Sequence, residues 1–338
     1  MTVATDELRS QLERSLPGHT QSQARIVAIE RRPSLYQTSF PLEDVDVVLD
    51  DGSTLALVLK DLSPGGLSER ARAAKPSFLI DPERELEAYR GPLAGAGLGT
   101  PRCYAAVSDP AASRFWLLIE RIDGVPLWQV GEPETWQAAA RWLAVLHERF
   151  SADRDWREAS GHLIDYDADY YGVWAERARQ SAATPGLRRR DRERIAAIAR
   201  SYERQIEPLA SLPTTFIHGE FYASNVLVDE ASGHSATAPR ISPIDWEMAA
   251  AGPGLVDLAA LSTGKWSEGE RAGIVSAYRQ ALDPSASAPG DDWERALDCC
   301  ALHLAVRWLG WAPGWRAPRA HRHDWLREAS EIVERLER

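Results

Sequence analysis

Cysteine is scarce, with 3 in 338 residues: Cys103 and the adjacent Cys299 and Cys300. That odd, small set argues against a disulfide framework or a cysteine-built zinc site, and a reducing cytoplasm is the expected compartment. Long apolar runs are missing as well. No stretch approaches the roughly 20 residues needed to cross a bilayer. The opening MTVATDELRSQLERSL is charged and amphipathic, without the apolar segment of a signal peptide. Basic charge is in deficit, 39 Lys and Arg against 50 Asp and Glu for a net −11. Neither nucleic acid nor an anionic membrane is then the expected partner. No internal repeat is visible. What remains is ordinary globular material, 44% hydrophobic and 26% charged, enough for one large or two medium domains. Tryptophan alone is in excess, at 13.

The patterning changes character along the chain. Residues 1–16 suggest a short helix, stopped by Pro17-Gly18. Strands are expected at 25–30, 44–49 and 54–60, the last two joined by an Asp51-Gly52 turn. Residues 81–94 read as a helix with Asp81 as N-cap, Pro82 in the first turn and acids at the positive end. Strands follow at 102–107 and 115–119, and Asp123-Gly124 marks the exit from regular structure. Beyond it, helical spacing of apolar residues covers 134–149, 167–182, 188–207, 254–263, 268–281, 291–310 and 322–337. One strand-like interruption lies at 215–228 and 240–246, and 283–290 reads as a surface loop.

That interruption carries the chemistry. Phe216-Ile217-His218-Gly219-Glu220 opens a polar loop that ends in Asn225-Val226-Leu227-Val228, and a second strand ends in Ile244-Asp245-Trp246-Glu247. Pairing Val226–Val228 with Ile241–Ile244 as a hairpin brings Asn225 and Asp245 to one end. An amide oxygen and a carboxylate there suit magnesium, which takes hard oxygen ligands together with substrate phosphates. Glu220 in the intervening loop is placed to orient or deprotonate an attacking hydroxyl.

The chain resembles the aminoglycoside phosphotransferase and choline kinase-like family, within the protein-kinase-like superfamily. The resemblance rests on His218-Gly219-Glu220-x4-Asn225, on Ile244-Asp245-Trp246-Glu247 and on Asp257-Leu258-Ala259. It implies an α+β, two-lobed protein-kinase-like fold: a nucleotide-binding sheet lobe at 1–120 and a mostly helical lobe with the catalytic loop and acceptor site at 121–338. It further implies transfer of the γ-phosphoryl group of ATP to a hydroxyl of a small molecule, an antibiotic among the candidates for resistance or self-protection. Asn225 and Asp245 would hold Mg2+, Glu220 would be the base, and Asp257 would brace the catalytic loop. Glu247 is left between a second metal and an exposed neighbour.

Lys60, at the end of the alternating strand Leu55–Lys60, would contact the phosphates and pair with Glu85, which matches the family's Arg-Glu-x-x-x-Tyr pattern. Backbone groups at Glu120 and Ile122 would read the adenine edge. The loop Arg32–Phe40 lacks the glycines expected of a phosphate cover; either the hydroxyls of Ser34, Thr38 and Ser39 replace some of the backbone donors, or the segment is a plain turn. The family has Asp where this chain has Glu220; a degenerate, nucleotide-binding relative is the alternative that this departure raises. A metal-dependent hydrolase would use the same acids but leave Lys60 and Glu85 without a role.

Other features read as architecture. Trp308, Trp311, Trp315 and Trp325 are expected foremost as helix packing, with the wall of an acceptor pocket as the second reading. His303, His321 and His323 lack the spacing of a zinc site. Arg188–Arg192 is expected as a solvated helix start, and Tyr170, Tyr171 and Trp174 as one buried helix face.

Overall fold

The computed structural model describes residues 3–16, 25–36, 39–153, 155–229, 239–264, 266–282, 292–311 and 323–338, with the side chain of residue 70 excepted. Thr38, Trp315, His321 and the 283–290 loop lie outside the described residues.

The chain opens with helix α1 (Thr5–Ser15), which precedes strands β1 (Ile26–Pro33), β2 (Leu42–Leu49) and β3 (Thr54–Asp61). A short helix α2 (Glu69–Ala74) leads to α3 (Pro82–Arg90), and β4 (Cys103–Asp109) and β5 (Arg114–Glu120) complete an antiparallel sheet of order β1-β2-β3-β5-β4. Strand alternation sorts its side chains. Leu57, Leu59, Trp116 and Leu118 face one way and are buried beneath Leu8 and Leu12 of α1. Val58, Phe115, Leu117 and Ile119 face the other way and join the main core with Leu86 and Tyr89 of α3. Lys60 shares the inner face with Val58; a slip of one residue would turn it toward α1. The sheet lobe therefore carries a helix on each face. Without α1 the apolar stripe Leu57/Leu59/Trp116/Leu118 would lie in water.

The second lobe begins with β6 (Val125–Pro126) and continues through α4 (Pro133–Ala152), α5 (Asp155–Glu158), β7 (Ile164–Asp165), α6 (Ala168–Ser181) and α7 (Arg189–Glu203). Next come α8 (Ile206–Ala210), β8 (Thr214–Ile217), β9 (Val226–Asp229), β10 (Arg240–Pro243) and β11 (Ala250–Pro253). The chain ends in α9 (Leu255–Ser262), α10 (Glu268–Ala281), α11 (Asp292–Gly310) and α12 (Trp325–Leu336). One continuous helix over 188–207 does not form. Pro208 cannot donate to the carbonyl four residues back, so α7 ends and α8 restarts. Strand β11 was not expected either: Ala250-Ala251-Gly252-Pro253 has no β-branched residue, yet it pairs antiparallel with β8 and parallel with β7, fully buried.

Two small sheets, β10-β9-β6 and β7-β11-β8, sit among these helices. Both end at the catalytic loop expected from the sequence.

Candidate active site

Backbone geometry assembles the site. In the β9–β10 hairpin Pro243 lies opposite Val226, and the Ile244 amide donates to the Asn225 carbonyl at 2.9 Å. Asn225 and Asp245 thus flank one end of the hairpin, as the sequence expected. Asp245 adopts a left-handed φ of 65°, which costs an L-residue energy and turns its carboxylate out of the strand direction. Gly219 also has positive φ, 78°, and a Cβ there would collide with the Met248 carbonyl oxygen, so only glycine fits.

The loop Ile217–Asn225 is pinned at both ends. Asp257, fully buried on α9, accepts from the amides of His218 and Gly219 at 2.7 and 2.8 Å, so it braces the loop. His147 of α4 backs Asp257 at 3.4 Å and bonds Tyr278 of α10 at 2.8 Å. His218 lies between the two halves of the site: Nε2–H donates to the Ile244 carbonyl at 2.9 Å, and Nδ1 accepts from the Glu220 amide at 3.3 Å. Those two bonds require the neutral ring, and burial holds its pKa below the ordinary value. Asn225 closes the loop by donating from Nδ2 to the Glu220 carbonyl at 3.1 Å, which leaves its amide oxygen as the atom for a hard cation.

At the sheet-lobe end, the ammonium of Lys60 stands 2.6 Å from Glu85 Oε2 and 2.5 Å from Asp245 Oδ1. Burial alone would discharge Lys60; the carboxylates of Asp245 and Glu85 outweigh it and raise its pKa. Burial would also protonate Asp245, but Lys60 overrides that and holds it lowered. Glu85, 2% exposed, is pushed up to about 7 by burial against the pull of Lys60. Its other oxygen accepts from the Trp246 amide at 3.2 Å. Strand β3, helix α3 and the segment after β10 are thus tied through one cation.

The other expected residues lie as follows. Ser34 is buried at the base of the β1–β2 loop; its amide donates to Leu42 and its hydroxyl accepts from the Tyr36 amide. Glu120 donates its amide to the Arg102 carbonyl at 2.8 Å, and its carboxylate is held by Arg240 at 2.7 and 2.8 Å. Ile122 is buried in the segment after β5. Glu247 is not an exposed neighbour: its carboxylate lies 2.8 Å from Lys75, and both side chains are largely buried. The stretch between β3 and α3 that holds Lys75 gave no sequence signal.

The largest surprise is on α11. Arg307, with no exposed surface, donates to Glu220 Oε1 at 2.7 Å and to the Gly219 carbonyl at 2.9 Å. Burial pushes Glu220 up to about 7, against the opposing charge of Arg307. The extra methylene of Glu over Asp gives the carboxylate the reach to meet this guanidinium. The available sequence signal was a lone charge in the apolar run Leu302–Leu309. Arg84 was missed likewise: its guanidinium donates to the carbonyls of Glu247 at 3.0 Å and His162 at 3.0 Å, and so joins α3 to the second lobe. Among the described residues no group of three or more His, Cys, Asp and Glu could hold a metal. The Asn225–Asp245 pair is a hard-oxygen set that fits magnesium only when phosphates complete the shell.

Comparison with known proteins agrees with this architecture. Residues 45–298 match the model of the phosphotransferase enzyme family. No curated protein matches the sequence. Among solved structures, the GDP complex of wild-type aminoglycoside 2'-phosphotransferase-IIIa is similar with a TM-score of 0.57 at 14% identity, covering 99% of each chain. A choline kinase from Cryptosporidium parvum Iowa II gives 0.56 at 15% identity over 99% of this chain and 94% of its own. A macrolide 2'-phosphotransferase from Brachybacterium faecium gives 0.55 at 16% over 96% and 97%. At such identities the likeness is one of fold, two-lobed and protein-kinase-like.

Proposed function

Because the chain belongs to the phosphotransferase enzyme family, we propose that it transfers the γ-phosphoryl group of ATP to a hydroxyl of a small molecule. The observation that supports this reading most is Lys60 held between Glu85 and Asp245, 2.6 and 2.5 Å away. A lysine drawn into such a site serves phosphates, and a hydrolase using the same acids would leave it idle.

In this reading the lobe at 1–120 takes the nucleotide and the lobe at 121–338 the acceptor. Lys60 anchors the α- and β-phosphates, and Glu85 keeps it pointed inward. Asn225 and Asp245 would hold magnesium, whose charge would offset that of the phosphates. Ser34 belongs to the loop that covers them. The Glu120 amide is already bonded to Arg102, so an adenine contact at Glu120 falls to its carbonyl, with Ile122 as the second backbone contact. Glu220 orients the acceptor hydroxyl and takes its proton as the new O–P bond forms; the bond to the bridging oxygen of ADP breaks. Antibiotics are one acceptor class that the reading admits, for resistance or self-protection. No helix among the described residues is long and apolar enough to cross a membrane, and a cytoplasmic location is part of the same proposal.

A second reading has one observation in its favour: Glu220 is already paired with buried Arg307, as suits a degenerate relative that binds nucleotide without turnover. ATP consumption against a panel of hydroxylated antibiotics, sugars and nucleosides separates the two. Acceptor-dependent ADP release is expected, whereas nucleotide binding without it for every acceptor would leave the degenerate reading standing.

A further inference from the structure

One ion pair at the site has no place in the chemistry above. The ammonium of Lys75, at the C-terminal end of α2, lies 2.8 Å from Glu247 Oε2, and the Lys75 side chain is 7% exposed. Glu247 stands at a seam. Asp245 is two residues before it, and the next residue, Met248, sets its carbonyl against Gly219, which precedes Glu220. Lys75 is thereby brought between the Asn225–Asp245 pair and Glu220. Electrostatics agree. Burial acts most strongly on both carboxyls, followed by Arg307 at Glu220 and Lys60 at Asp245, and the Lys75 charge reaches each of them in the lowering direction.

A structural role for the pair would be to tie the lobes together. That tie exists without Lys75: Arg84 donates to the Glu247 carbonyl, and Phe78 packs at 63° against Trp174 of α6, centroids 5.6 Å apart. The choice of side chain also points away from a tie. Of 39 basic residues only three are lysine, and Lys60 and Lys75 are two of them; the fixed links of Arg84 and Arg307 use the planar fork instead. Nor is the pair aligned as a bond. Glu247 Oε2 has no hydrogen-bond partner, and among the described residues the Lys75 ammonium donates to none, whereas Lys60 donates to Asp245 at 2.5 Å. A buried ammonium with unmade bonds is costly, and an anionic ligand beside it offsets that cost.

We propose, resting on the phosphotransferase reading above, that Lys75 holds the γ-phosphoryl group, its ammonium donating to the non-bridging γ-oxygens while the group passes from ADP to the acceptor. The acceptor oxygen forms its bond to phosphorus, the bond from phosphorus to the bridging oxygen of ADP breaks, and the acceptor proton goes to Glu220. Lys75 gives up no proton; it offsets the charge on the oxygens in flight. Lys60 serves the α- and β-phosphates, so the two lysines divide the triphosphate between them.

The test is calorimetric binding of ADP and of a non-hydrolysable ATP analogue to the full chain, each with magnesium. The wild type is expected to bind the analogue at least about tenfold more tightly than ADP. Lys75→Met combined with Glu247→Gln, so that no carboxylate is left stranded, should bind the two nucleotides within about twofold of each other and leave ADP affinity as in the wild type. Glu247→Gln alone should keep the wild-type margin. Equal affinities in the wild type, an intact margin in the double variant, a margin already lost in Glu247→Gln, or a fall in ADP affinity as large as the fall for the analogue each overturn the proposal; the last is what a mere tie between the lobes would give. Acceptor-dependent ADP release is read separately. Release with a margin indifferent to Lys75 would sink only the role of Lys75. A margin that depends on Lys75, with no release for any acceptor, would sink the phosphotransferase reading and leave Lys75 as a ligand of the γ-phosphate.

Discussion

The two ends of the site are built on one plan with different materials. At the sheet-lobe end a buried lysine binds Glu85 and Asp245; at the helical end a buried arginine binds Glu220 and the Gly219 carbonyl. Lysine is a compact point charge on a flexible stem, suited to a partner that is exchanged when phosphates arrive. Arginine, with a planar fork, fixes a carboxylate and a carbonyl together. On the proposed function, the Lys60 end is made to be rearranged by the nucleotide, while the Glu220 end is held in place beforehand.

The sharpest way to break this comparison is to remove Asp245. Asp245→Ala takes away the carboxylate proposed to hold magnesium but leaves Lys60 its Glu85, so turnover should fall by about 10³-fold with circular dichroism unchanged; near wild-type activity would refute the metal assignment. Next in size is Arg307→Met, which strands Glu220 beside a buried site. It should cost roughly 3–5 kcal/mol of stability, read by denaturant unfolding, and a loss below about 1 kcal/mol would show the pair to be ornamental.

Glu220→Gln is expected to lower kcat by about 10²-fold while nucleotide affinity stays nearly constant; equal losses in both would deny Glu220 the role of base. The pH dependence sharpens the same point. Glu220 holds its proton up to about 7 when folded, against an ordinary 4.5. Its favourable contribution to stability is therefore complete below 4.5 and is lost as the pH rises through about 7. The base role proposed for it needs the opposite limb, so kcat should climb through that range while stability declines, and Glu220→Gln should flatten both. Smallest is Asp257→Asn, which weakens the two amide bonds bracing the loop by about 1–2 kcal/mol; melting temperature and kcat should fall together.

How much of this was legible in the sequence follows from the range of each interaction. Asn225 and Asp245 sit at a hairpin end, where register fixes direction, and their placement could be read from local pattern; the alternation of β3 only allowed Lys60 to point inward, and its pairing with Glu85 came from the family resemblance. Asp81 and Pro82 announced α3, and with it Glu85. Arg307 could not be placed in that way. Its partner lies 87 positions away, and nothing local says which helix face meets the catalytic loop. Arg84 and Lys75 fail for the same reason, since each reaches across to Glu247 in the other lobe. Among the tryptophans, packing was the foremost expectation and stacking is what the described rings show; which of them meet Tyr222 depended on how α11 and α12 cross. Strand β11 was missed because small residues give no strand signal when burial rather than propensity forms the strand.

The most direct test of the central claim is the magnesium dependence of nucleotide affinity. A non-hydrolysable ATP analogue is titrated into the wild-type chain and into Asp245→Ala, each with and without magnesium. The expected result is that magnesium tightens binding to the wild type by about tenfold or more and leaves Asp245→Ala unmoved. A variant that gains as much from magnesium as the wild type would contradict the assignment of Asn225 and Asp245 as the cation's seat.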